Sequence, residues 1–291
     1  MRFSHLSSPT NSVPRLAAVI GDGALFLDEV IEGAPRDLQE LIERGPAALS
    51  GVRSVVNNAV TAGATLHPVY DLRHASAVLR PPQVIAIGAN YAAHASELKL
   101  RAEKSATVFS LWPNSLAGHR GTTIWPAHLT SEVDYEAELG VIIGKPARNV
   151  SALDALDYVF GYTIVNDITA RDLQFSEAQW SRCKSFDGFT PNGPVVVTAD
   201  EIPDPQDLWL TTNVDGAILQ DASTADMVRS VAEVIEFLSR TATLQPGTLI
   251  STGSPGGAGY SRNPRVFLKH RSTVTVTIGG IGYLTTHCEV I

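Results

Sequence analysis

Two carboxylates one residue apart, Glu136 and Glu138 in Asp134-Tyr135-Glu136-Ala137-Glu138-Leu139, run directly into the apolar stretch Gly140-Val141-Ile142-Ile143-Gly144. Alternate side chains of a strand share a face, so both acids point one way while Ala137 and Leu139 point the other. Like charges this close oppose each other's ionisation, and burial adds to the penalty unless a cation or hydrogen-bond donors intervene. A solvated acidic face on an edge strand is the plain alternative, but the residues that follow are too apolar on both faces for an edge. Asp167 is the third candidate, closing the strand-like run that begins at Gly161 and abutting a helix start, where it could equally serve as N-cap. Three carboxylates suit a hard, oxygen-preferring ion, Mg²⁺ or Mn²⁺ over zinc, with coordination positions left for substrate and water.

A second set of residues could move protons. His94 and Glu97 are three apart, on one side of a helical turn if that segment is helical. Glu97 could orient His94, and the pair could deprotonate a water; a satisfied surface histidine is the alternative. Lys184, in Cys183-Lys184-Ser185-Phe186-Asp187, could bind a carboxylate or a developing oxyanion, or could simply pair with Asp187. The two cysteines, Cys183 and Cys288, make neither a disulfide framework nor a thiolate metal site, and Cys183 reads as an inert pocket residue. His67, His74, His119, His128, His270 and His287 stand in no motif and read as structural or surface groups.

The elements that must hold these groups are legible in outline. Apolar runs either side of Gly21-Asp22-Gly23 predict a hairpin over 16–28, followed by helices over 37–44 and 47–59. Pro81-Pro82 marks a boundary near residue 80, separating a small N-terminal α/β domain (1–80) from a catalytic domain (81–291). Val84-Ile85-Ala86-Ile87-Gly88 is a short buried strand, and 94–107 is a helical flap or a loop. Strand-like runs at 133–147, 159–166, 194–199, 208–214, 248–252, 266–269 and 273–286 predict an α+β, predominantly β fold. Ser223-Thr224-Ala225-Asp226 resembles a capping box, predicting one helix with Met227, Val231, Val234, Ile235 and Leu238 as its apolar stripe.

Composition narrows the partners. The 291 residues are 44% hydrophobic, enough for a full core, and 30 acidic against 22 basic residues give a formal charge of −8. With no concentrated Lys/Arg tract, a nucleic acid or an anionic membrane is disfavoured and a small molecule favoured. The opening residues carry no apolar run long enough for a signal peptide or a membrane span, which suits the cytoplasm. No glycine-rich phosphate loop follows a strand and opens a helix, so a nucleotide cofactor is disfavoured.

Taken in order, these blocks resemble the fumarylacetoacetate hydrolase family, in its acylpyruvate hydrolase and 2-keto acid branch. The resemblance runs from about Pro81 to the C-terminus. It rests on G-x-N-Y-x-x-H-x-x-E at 88–97, D-Y-E-x-E-L at 134–139 and G-Y-x-x-x-N-D-x-x-x-R-D-x-Q at 161–174. K-[ST]-F-D at 184–187, Gln220-Asp221 with Met227, and T-G-[TS]-P-x-G at 252–257 complete it. It implies a mixed β-sheet roll with a small N-terminal domain, commonly homodimeric. It implies metal ligands at Glu136, Glu138 and Asp167, catalytic residues at His94, Glu97 and Lys184, and substrate contacts at Asn90, Tyr91, Arg171, Gln174 and Thr252. The implied activity is Mg²⁺- or Mn²⁺-dependent cleavage of a carbon–carbon bond in a 2,4-dioxo acid, releasing pyruvate. The alternatives are a decarboxylase, hydratase, isomerase or lyase on a related 2-keto or ureido acid, and more remotely a catalytically silent binding protein. Leu111 stands where the family usually has lysine, leaving Arg101 or Lys104 to replace it, and Cys183 stands where glycine is usual.

Overall fold

The computed structural model describes residues 1–98 and 106–291, so Arg101 and Lys104 lie outside the described residues. Among these, twelve strands join into one mixed sheet and five into a second. The larger sheet runs from the N-terminal strands Gly23–Phe26, Asn11–Ile20 and Arg2–Ser8 through Thr190–Thr198, Val159–Asn166, Ala137–Ile143 and Leu249–Ser251. It ends on Val84–Gly88 and Thr107–Ser110. Arg2–Ser8 pairs with Thr190–Thr198, so strands from both sides of residue 80 share one hydrogen-bonded sheet.

The strand Ala137–Ile143 is central, hydrogen-bonded to Val159–Asn166 on one side and to Leu249–Ser251 on the other. This explains its apolar sequence: both faces are covered. Leu139, Val141 and Ile143 pack towards the second sheet and the helix Val231–Ser239, while Ile142 packs with Leu38, Leu41, Val52 and Val56 of the helices Leu38–Glu43 and Pro46–Thr61. Glu138, four residues before Ile142 in the strand, shares its face.

Most expected elements appear near their expected places, and three differ. The run 133–147 is interrupted at Tyr135 and Glu136, giving Val133–Asp134 and Ala137–Ile143. Residues 266–269 form no strand: Val266 and Leu268 donate singly, to Gly259 and to Val133, and no ladder develops. The Ser223 box caps only a single 3₁₀ turn, Thr224–Asp226. The helix that buries Val231, Val234, Ile235 and Leu238 starts at its own box, Ser230 with Glu233. No helix among the described residues is long and apolar enough to cross a membrane.

His5 drew no notice from sequence, yet it ties the first strand to the first helix. Its Nε2 accepts from Leu38 N–H at 3.0 Å, capping the helix alongside Asp37, and Nδ1 donates to the Ser76 carbonyl at 3.2 Å. Burial pushes this imidazole down to about 4, because the neutral ring is the one that fits. The unfolded chain therefore binds a proton that the folded chain refuses, and the stabilisation present above pH ~6.5 is lost as pH falls towards 4, on the order of 3 kcal/mol. Urea unfolding at pH 7 and pH 5 should show about 2 kcal/mol of this loss in the wild type and a shallower one in His5→Asn. Equal pH slopes in the two proteins would remove His5 from the effect.

Candidate metal and active site

The antiparallel register brings the three acids together. Ala137 pairs with Asn166 and Glu138 with Val165, and one step further Asp167 N–H donates to the Glu136 carbonyl at 2.9 Å. Asp167 is thereby the cross-strand neighbour of Glu136, on the face that Glu138 shares. Glu136 N–H donates to the Asn166 side chain at 3.1 Å, which holds this last step where the regular strand has ended. One oxygen from each of Glu136, Glu138 and Asp167 lies within 4.8 Å of the others, and all three residues are buried.

Buried carboxylates need donors, and each has a different supply. Lys184 Nζ bridges two of them, 2.7 Å from Glu136 Oε2 and 2.6 Å from Asp167 Oδ2. Arg171, fully buried, gives Nη2 to Glu136 at 2.7 Å, Nε to Asp134 at 2.9 Å and Nη1 to Gln174 at 2.9 Å. Burial alone would raise Glu136, but Lys184 and Arg171 outweigh it and hold the group well below the usual carboxylate range. Glu138 has no such cation against it, only Ser251 Oγ at 2.5 Å and Gly253 N–H at 2.8 Å, both on Oε2. Burial and the charges of Asp167 and Glu136 push it up to about 8. Asp167 rises to about 6, burial and Glu136 outweighing Lys184.

Glycine is required at 253, because its φ of +99° is unfavourable for L side chains and a Cβ there would lie 2.7 Å from Asn90 Cβ. The amide that meets Glu138 depends on that close approach.

A dication fits this arrangement. Arg171 is balanced by Asp134, so with all three carboxylates ionised, the form that binds a cation, two negative charges stand uncompensated by the single Lys184 ammonium. Asp167 Oδ1 is buried with no hydrogen-bond partner among the described residues. An all-oxygen donor set of this charge selects a hard divalent ion.

His94, on the helix Ala92–Glu97, places Nε2 3.1 Å from Glu136 Oε1, and its Nδ1 has no hydrogen bond among the described residues and lies 3.9 Å from Glu97 Oε2. Burial would depress the imidazole, but Glu136 and Glu97 outweigh it and raise its pKa. Glu97 is in turn held by Gly257 N–H at 2.9 and 3.0 Å. His94 is thus a buried group beside the acid trio rather than a surface histidine, and Lys184 joins that trio rather than Asp187, which accepts from Asn114 instead.

The space left among these groups is about 10 Å³, lined by Gln174, Lys184 and His94 and closed by Leu98, Phe109 and Trp180. That is room for one water-sized particle. Of the five expected substrate contacts, Gln174 lines it. Arg171 stands behind Glu136. Asn90 ties the Thr252 and Arg229 carbonyls, Thr252 Oγ1 bonds the Leu139 carbonyl at 2.8 Å, and the Tyr91 hydroxyl is buried without a partner among the described residues. Leu111 is packed in the apolar core and does not line the space. Sequence reasoning gave no role to Asp134, which orients Arg171 and accepts from the Gly259 and Tyr260 amides, nor to Ser251 or Trp180. The only available signal for Asp134 was its place in the same short block as the two glutamates.

Residues 83–289 match the family description "Fumarylacetoacetate (FAA) hydrolase C-terminal". The chain belongs to the fumarylacetoacetate hydrolase family. Among family relatives, a mitochondrial oxaloacetate tautomerase of Rattus norvegicus is 36% identical over 287 residues, covering 98% of this chain and 90% of the relative. The solved fumarylacetoacetate hydrolase of Exiguobacterium antarcticum superposes with a TM-score of 0.85 at 33% identity, with full coverage of both chains. A family hydrolase solved with manganese(II) and pyruvate, the maleylpyruvate hydrolase of Sphingobium sp. SYK-6, superposes with a TM-score of 0.83 at 28% identity, covering 100% of this chain and 99% of that one.

If the trio is short of positive charge, a bound dication stabilises the fold. At a hundredfold excess over its Kd the gain is about 2.7 kcal/mol, a rise of several degrees in Tm for a chain of this size. Adding Mn²⁺ to chelator-stripped protein should raise Tm by that amount in the wild type and not in Asp167→Asn. A full shift in the variant would exclude Asp167 as a ligand.

Proposed function

We propose that this protein is a Mg²⁺- or Mn²⁺-dependent hydrolase that splits a 2,4-dioxo acid of the acylpyruvate type into a carboxylic acid and pyruvate. The observation that carries the reading is the position of His94, a buried imidazole in contact with Glu136 and with a free ring nitrogen beside Glu97. A divalent ion held by Glu136, Glu138 and Asp167 would supply Lewis acidity to the 2-oxo oxygen of a chelating α-keto acid. Its solved relative with manganese(II) and pyruvate supports that choice of ligand class.

The chain's own groups divide the remaining work. His94 takes a proton from water through Nδ1, with Glu97 orienting the ring and bearing part of the imidazolium charge. The water oxygen bonds to C4, the C3–C4 bond breaks, and its electron pair passes into the enolate of pyruvate. The proton then returns to C3. Lys184 offers its ammonium to the substrate carboxylate or to the oxyanion that forms at C4. Because the space at the trio holds one water-sized particle, admitting the substrate requires its lining to move apart. The homodimer is the expectation carried from the resemblance, and the cytoplasmic setting the one drawn from the opening residues.

A second reading is favoured by the 36% identity to the oxaloacetate tautomerase: keto–enol exchange at C3 of a 2-oxo diacid, with His94 shuttling the proton and no water attacking. The two separate in one experiment. Acylpyruvates and oxaloacetate are supplied with and without Mg²⁺ while pyruvate release and the enol absorbance are both followed. Ion-dependent pyruvate release from acylpyruvates supports hydrolysis; enol–keto relaxation without release supports the tautomerase.

For either reaction His94→Gln should lower the rate by ~10² to 10⁴ while leaving ion affinity within about tenfold. Equal losses of rate and ion affinity would make His94 a support for Glu136 and not a base.

A further inference from the structure

A cavity of about 400 Å³ lies apart from the acid trio, where the N-terminal strands meet Thr190–Thr198 and Gly282–Val290. Val19, Val69 and Val195 give it an apolar wall, and His74, His119 and Arg120 supply its nitrogen groups. An apolar pocket of roughly 300–1,000 Å³ with a few convergent polar groups is the usual form of a small-molecule site.

The His119 ring and the Arg120 backbone are held in place, and the Arg120 side chain is exposed at the cavity. Thr285 N–H donates to His119 Nδ1 at 3.0 Å, so the ring proton sits on Nε2. His119 is only 5% exposed, and that Nε2–H has no partner among the described residues. The Arg120 amide donates to the Thr285 carbonyl at 2.7 Å, clamping both residues to one strand position. Arg120 holds a left-handed backbone, φ +60°, that costs a non-glycine residue about 1 kcal/mol or more. Gly118 permits the turn, since a Cβ there would lie 2.4 Å from the His74 carbonyl oxygen. His74 meets His119 edge-on with ring centroids 4.9 Å apart, and Tyr283 meets His119 at 5.3 Å.

Arg120 brings a positive charge to the cavity. The Arg120 guanidinium pairs with no carboxylate among the described residues and reaches only the Tyr70 carbonyl, at 3.4 Å. Burial first, then Arg120, lowers His74 to about 4; burial, His74, Arg120 and His287 lower His119 to about 3. No acid opposes either shift, so both rings are neutral near pH 7. Arg2 is engaged with the Gly280 and Ile281 carbonyls and lies 3.6 Å from Glu201, and the exposed Asp22 is the one acidic residue of the lining.

We propose that this cavity is a second ligand site, for a small monocarboxylate with a compact apolar body. The carboxylate meets the Arg120 guanidinium and His119 Nε2–H, and the body lies against Val19, Val69 and Val195. Asp22 disfavours a second negative charge at the opening.

Benzoate is a suitable probe and benzamide its uncharged control, each titrated into the full chain by calorimetry and ligand-observed NMR. Saturable benzoate binding is expected, at least tenfold tighter than benzamide. It should be unchanged in Glu136→Gln, which alters the acid trio, and weakened at least tenfold in Arg120→Gln, Arg120→Gly and His119→Phe. Arg120→Gly also relieves the left-handed backbone, so its Tm should equal or exceed the wild type while binding is lost, a combination that a purely structural arginine would not give. The proposal is overturned if folded Arg120→Gly binds benzoate like the wild type, if only Glu136→Gln loses it, or if no saturable binding occurs up to 20 mM.

Discussion

Three carboxylates within 4.8 Å of one another, all out of water, with one ammonium among them, form the constraint around which this part of the molecule is arranged. Such a group survives only if each charge is met or suppressed. Glu136 is met, by Lys184 and Arg171. Glu138 and Asp167 are only partly met and are driven towards their protonated forms until more positive charge arrives. The shortfall gives the site its appetite for a dication, and it follows from charge and burial alone.

The surrounding fold serves that arrangement at one remove. Asn166 extends the pairing by a step, Asp134 aims Arg171, and Ser251 with the Gly253 amide fixes Glu138. Asn90 and Thr252 lock the loop bearing that amide to the central strand. Several residues that a motif marks as important are therefore supports whose polar atoms are spent on backbone groups, which leaves few side chains able to touch a substrate. His94 belongs to both sets, because it leans on Glu136 and still keeps one nitrogen unbonded.

The cavity at His119 and Arg120 shows the opposite economy. There the backbone is strained and the side chains are underused: among the described residues the His119 Nε2–H has no partner and the Arg120 guanidinium no acid. It shares no lining residue with the space at the acid trio.

The order of short motifs was enough to place the chain in its family, and period-two alternation put Glu136 and Glu138 on one face without any coordinates. The apolar run through Ile143 likewise spoke for a covered strand, since a strand with both faces covered cannot alternate. Local signals failed where a choice depended on distant partners: residues 266–269 look like a strand but have no neighbour to ladder with, and Ser223 looks like a helix cap but closes only one turn. Whether Asp167 capped a helix or joined the acids, whether Lys184 met Asp187 or the trio, and whether His94 was exposed or buried turn on contacts spanning 17 to 48 residues of chain. His74 and His119, unremarkable in sequence, meet across 45 positions for the same reason. Residue type and spacing settle which chemistry a chain can offer; the register of its strands settles which groups share one small volume, and there charge and burial become energies.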